Sequence, residues 1–79
     1  MIDTVIAELQ RILNDKGAGE HAVSTDMVLL GGSLPIDSLD LATLVVALEE
    51  KTGREPFKAG FRLFTTVGEL AALFDETTP

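Results

Sequence analysis

Cysteine is absent from the 79 residues, and with it every disulfide, thiolate metal site and thiol nucleophile that the chain could have made for itself. A domain this small must then hold together by packing alone. No apolar run approaches the roughly 20 residues that cross a bilayer, and the N-terminus has no basic segment leading into an apolar stretch of the signal-peptide kind. The expectation is a soluble, cytoplasmic protein with no membrane partner. Basic residues are scarce: six Lys and Arg stand against thirteen Asp and Glu, for a net charge of −7. That balance repels a nucleic-acid backbone, so no nucleic-acid partner is expected and basic protein partners are favoured. Plain solubility accounts for the same charge. The one histidine, His21, has no companion ligand and reads as a solvated loop residue. An alternating strand pattern is missing throughout.

What is present reads as helix. With 46% hydrophobic and 24% charged residues, the chain fits a single domain over its whole length and leaves no room for a second core. Ile2, Val5, Ile6, Leu9, Ile12 and Leu13 share one helical face, with Glu8, Gln10 and Arg11 off it, so a first helix is expected over about 2–15. Asp3 or Thr4 is placed to cap its start, and Gly17 and Gly19 to end it in left-handed backbone. A long connection follows, from Glu20 to Ile36. Its turn formers, among them Ser24, Asp26, Gly31, Gly32, Ser33 and Pro35, surround the apolar Met27, Val28, Leu29 and Leu30. This describes a loop pinned to the core, with room for one helical turn. Loops of that length in small domains are often functional.

The second helix, over about 38–52, is the clearest in the chain, with Asp37 as N-cap, Asp40 at the third helical position and Gly53 as its stop. From Arg54 to Phe64, Pro56, Phe57, Gly60 and Phe61 break any long helix but suit a short one over about 56–61, packed by its aromatics. Thr66 and Glu69 form a capping box, and Val67, Leu70, Ala71 and Phe74 mark the buried face of a last helix over about 67–75. Three main helices, one short helix and a long first loop make an all-α fold, a small helical bundle.

On a wheel at about 100° per residue, the second helix carries two apolar stripes. Leu41, Leu44, Val45 and Leu48 form the inward one. Leu39 and Val46 lie opposite, with Thr43 and Glu50 interleaved. Either the helix is central and covered on both sides, or the outer stripe is a docking strip fenced by Glu49 and Glu50, suited to a partner apolar at its centre and basic at its rim.

Asp37, Ser38, Leu39 and Asp40, opening a helix that continues Leu41-Ala42-Thr43-Leu44-Val45-Val46-Ala47-Leu48-Glu49-Glu50, resemble the signature of the acyl carrier proteins. The resemblance runs over essentially the whole chain: a first helix of similar length, the long loop, Gly53 after the second helix, and Thr66-Val67-Gly68-Glu69-Leu70 opening the last. Asp-Ser-Leu alone is a weak motif, and the surrounding order and spacing give it weight. The resemblance implies an acyl-carrier-like bundle in which Ser38, flanked by Asp37 and Leu39, receives 4'-phosphopantetheine from coenzyme A, and the arm's thiol holds acyl intermediates of a fatty-acid or polyketide pathway as thioesters. It implies a phosphopantetheinyl transferase and acyl- or aminoacyl-loading and processing enzymes as partners. It also implies a monomer, with Leu39, Asp40, Thr43, Val46, Glu49 and Glu50 as the docking face. The chemistry agrees, since a chain without a thiol needs an attached arm to form a thioester.

The chain does not read as an enzyme: Ser38 lacks nucleophile-elbow glycines and His21 lacks an acid partner. Without the surrounding pattern Ser38 would be an ordinary first-turn serine. Three departures from the commoner carrier pattern stand out. Pro35 and Ile36 precede the motif where a glycine and an apolar residue are more usual, and proline there stiffens the approach to the helix. Thr43 replaces a frequent acid, and Lys58-Ala59-Gly60-Phe61-Arg62 is basic where fatty-acid carriers are often acidic. These departures favour a specialised, free-standing carrier of secondary metabolism or cell-envelope modification. An aminoacyl or peptidyl carrier would use the same serine and arm, and an unmodified helical adaptor would keep only the fold.

Overall fold

Three helices carry the chain, α1 (Ile2–Asp15), α2 (Ser38–Thr52) and α3 (Val67–Asp75), in a computed structural model that describes residues 1–19, 22–32, 34–58, 60 and 62–77. Among the described residues there is no strand, only an isolated antiparallel bridge between Val28 and Thr66. No helix there is long and apolar enough to cross a membrane. His21 lies outside the described residues.

Val5, Leu9, Ile12 and Leu13 of α1 are buried, as their helical spacing requires. The helix begins two or three residues earlier than a cap at Asp3 or Thr4 would have set it. Val5 N–H already donates to Met1 O at 3.0 Å, so Met1 is the N-cap without a side-chain bond and both candidate caps lie inside the first turn. At the other end Gly17, at φ 77°, donates to Asn14 O while Ala18 donates to Leu13 O, each at 3.0 Å. This paired closure needs a left-handed residue and leaves Gly19 no part in it.

The long loop is tied down by extended backbone pairing, and its described residues hold a turn in which Met27 N–H donates to Ser24 O (3.2 Å), with no helix among them. Leu29 N–H donates to Thr65 O (2.9 Å), Val67 N–H to Met27 O (3.0 Å) and Gly68 N–H to Thr25 O (2.7 Å). The loop therefore crosses the start of α3 and buries Leu29 and Leu34 in the core. The approach at Gly68 is close enough that an added Cβ would meet the methyl and carbonyl of Thr25.

Of the short fourth helix expected over 56–61, the described residues show only turns. Lys58 N–H donates to Glu55 O and Gly60 N–H to Phe57 O, each at 3.1 Å, which makes turns of this segment; Ala59 and Phe61 lie outside the described residues. Pro56 brings no N–H to a helical ladder, and Gly60 at φ 141° has left helical backbone altogether. The aromatics nevertheless pack: the Phe57 and Phe64 ring centroids lie 5.7 Å apart.

Both α2 and α3 pack on α1, and Leu9, Leu13, Leu44, Leu48, Leu70 and Phe74 are fully buried. A second correction concerns Glu8, which spacing set off the buried face. It is only 8% exposed and bridges Arg11 Nε (2.8 Å) and, across the helix pair, Lys51 Nζ (3.0 Å). Those two hydrogen bonds hold its carboxyl below its usual range against the opposing effect of burial. Arg54 donates to Phe74 O at 3.0 Å, giving the C-terminal end of α3 the cation its own last turn lacks.

Candidate functional site

Ser38 is the first residue of α2, exposed to solvent. The turn around it is fixed by two carboxylates that cap each other. Asp37 Oδ1 accepts from Asp40 N–H (2.9 Å) and Asp40 Oδ2 accepts from Asp37 N–H (3.1 Å), which satisfies donors that a helix start otherwise leaves open. Both acids stand where spacing placed them, at the N-cap and the third position. At the far end Gly53, at φ 70°, closes α2 by donating to Glu49 O.

A third group joins this turn from a distance in sequence. Lys16, just after α1, extends its ammonium to Pro35 O (2.6 Å) and to Asp40 Oδ2 (2.5 Å). Lys16 and the Asp37 N–H together hold the Asp40 carboxyl below the usual carboxylate range. Sequence reasoning missed Lys16, which lies 24 residues from Asp40, beyond the reach of any local pattern.

The outward stripe of α2 is open. Leu39 is 74% and Val46 51% exposed, so among the described residues neither is covered from a second side. Thr43 is exposed and its hydroxyl donates to Leu39 O of its own helix at 3.1 Å. Glu50 is exposed, while Asp40 and Glu49 are half-buried. The inward stripe is narrower than the wheel suggests. Leu44 and Leu48 are fully buried, but Leu41 and Val45 are only half-buried.

Leu41 and Val45 turn toward an apolar groove of about 360 Å³ that starts at Ser38 and runs between α2 and the turn segment, walled on the far side by Phe57 and Phe64. In the sequence the two aromatics signalled only the packing of a turn; nothing local told that they face Ser38. A second groove of about 410 Å³ lies on the other flank, between Arg11 of α1 and Thr43, Val46 and Glu50 of α2. Val46 therefore stands on the ridge between the two. Leu63, also unanticipated, is 84% exposed beside Phe64.

No family model, curated protein or solved structure matches the chain. Function is accordingly read from the site and from the resemblance carried by Asp37 to Glu50.

Proposed function

We propose that the chain is a carrier protein that holds acyl groups as thioesters on a 4'-phosphopantetheine arm joined to Ser38, and hands them between enzymes of a biosynthetic pathway without catalysing a reaction itself. The observation that carries this reading is the setting of Ser38: an exposed hydroxyl on the first turn of a doubly capped helix, opening directly onto an apolar groove. In the attachment step the Ser38 oxygen bonds to the phosphorus that bears the pantetheine of coenzyme A, the bond from that phosphorus to adenosine 3',5'-bisphosphate breaks, and the hydroxyl proton leaves to a base on the transferase.

Among the described residues no base is hydrogen-bonded to the Ser38 hydroxyl, so activation falls to that separate enzyme. The residues present fit the group: the new phosphodiester would sit at the positive end of α2, where the charge of Asp40 is already paired with Lys16. The bound arm would supply the thiol that the chain lacks. The groove walls favour an acyl over an aminoacyl cargo, since Leu41, Ala42, Val45, Val46, Phe57 and Phe64 are all apolar. On this reading the protein works in the cytoplasm as a monomer, with a phosphopantetheinyl transferase and acyl-loading and processing enzymes as partners.

Intact mass after incubation with coenzyme A and a broad-specificity transferase should rise by one phosphopantetheine. Ser38→Ala should gain nothing. A gain in that variant would place the attachment elsewhere, and an unmodified wild-type chain would leave only the adaptor reading.

A further inference from the structure

Lys16 gathers three parts of the chain on one ammonium group. It belongs to the closing turn of α1, it takes the carbonyl of Pro35 at the end of the long loop (2.6 Å), and it takes the Asp40 carboxylate in the first turn of α2 (2.5 Å). The residues between those two contacts are the ones that present Ser38. Ile36 N–H turns back to Leu34 O at 2.9 Å, a tight three-residue turn, and Pro35 fixes its own φ. Asp37 and Asp40 then lock each other's N–H groups. The backbone on both sides of Ser38 is thus tied to α1 through a single side chain that is one-third exposed and paired to a carboxylate one-fifth exposed.

Resting on the proposed attachment at Ser38, we infer that Lys16 is a positioning residue for that reaction. It holds the serine turn at a set angle to α1 and cancels the charge of Asp40, so that the incoming phosphoryl group faces one uncompensated carboxylate, Asp37, and not two. An ammonium placed beside a turn in this way orders the nucleophile before the transferase arrives, and the transferase need not spend binding energy ordering it. Lys16 lines neither groove, although its partner Asp40 belongs to the expected docking face, so the kcat and KM readouts separate positioning from docking.

The test compares wild type, Lys16→Met and Lys16→Arg as transferase substrates, reading kcat and KM separately beside the melting temperature and the amide exchange of residues 37–40. Lys16→Met should lower kcat about threefold to tenfold with KM little changed, as loss of orientation does when binding contacts stay. It should also speed exchange at residues 37–40 but not in α3. Lys16→Arg, which keeps the charge and can reach both acceptors, should recover most of the rate. A rise in KM alone would make Lys16 a docking contact, and a lower melting temperature with normal kcat of the folded fraction would make it a structural tie; either overturns the inference. A modified wild type with an equally fast Lys16→Met removes only the role of Lys16, whereas a wild type that takes no arm removes the attachment reading as well.

Discussion

At the residue scale, Asp37 and Asp40 cap each other across one turn, as Thr66 and Glu69 do. Residue type and spacing suffice to find the Thr66–Glu69 box, whereas at α2 they give Asp37 as N-cap and Asp40 as a first-turn acid but not the bond Asp40 returns to Asp37 N–H. Glu8 was misread because spacing reports only the faces of its own helix, while the partner that makes its burial tolerable, Lys51, comes from α2. Its folded pKa is lowered. A carboxylate of that kind stabilises the fold above its unfolded pKa, and the contribution is lost as pH falls through the folded value. Arg11 and Lys51 are each about half exposed, so the bridge belongs nearer the surface range than the buried one. Glu8→Gln should cost about 1 kcal/mol near neutral pH, and the difference from wild type should shrink as pH falls through the lowered pKa of Glu8 and that side chain becomes neutral like the glutamine. Urea unfolding at about pH 7 and about pH 3 measures it. A gap of equal size at both would mean that shape, and not charge, carries the effect.

Among the elements, the three helices announce themselves because each buries a stripe at its own period, whereas the connections depend on what they cross. Nothing local in Thr25 to Leu29 specifies the pairing to Thr65, Thr66 and Gly68, which only the meeting of loop and α3 creates. Over 56–61 the described residues form turns, with Pro56 bringing no N–H to a ladder and Gly60 lying outside helical backbone. In α2 the wheel separated the right faces: Leu44 and Leu48 are fully buried, while Leu41 and Val45 pack against the core from its edge and also line the groove. Leu44→Ala and Leu48→Ala should therefore each lose roughly 2 to 5 kcal/mol, enough to unfold much of so small a domain. Leu41→Ala should cost less than either, because part of its surface is already in water. Denaturation midpoints order the three, and a Leu41 loss equal to that of Leu44 would put the groove wall in the core.

Across the whole molecule the charge is less evenly spread than a net −7 suggests. Lys51 is drawn to Glu8, Arg54 to the end of α3 and Arg62 to Glu76, so these three basic residues, from the last turn of α2 onward, serve as internal ties. Glu49, Glu50 and Glu55 line a shallow hollow with Val46, and among the described residues none of these acids forms an ion pair. The outcome is one acidic-rimmed apolar face on α2, its open leucine beside Ser38 and its open valine two turns on. If partner enzymes dock there, Leu39→Ala and Val46→Ala should shift stability by no more than about 0.5 kcal/mol, because exposed side chains lose little on truncation. Their cost should fall on recognition: a higher KM for the transferase with the melting temperature unchanged, the opposite split from that expected of Lys16. Glu50→Lys sets a like charge against a basic rim and should slow association by about tenfold at low salt and far less at moderate salt, as screening removes steering. Transferase kinetics on the three variants at two ionic strengths decide it. Lower stability with normal modification of the folded fraction would return Leu39 and Val46 to the core, and a Glu50→Lys effect indifferent to salt would leave the face apolar in its recognition and remove its electrostatic rim.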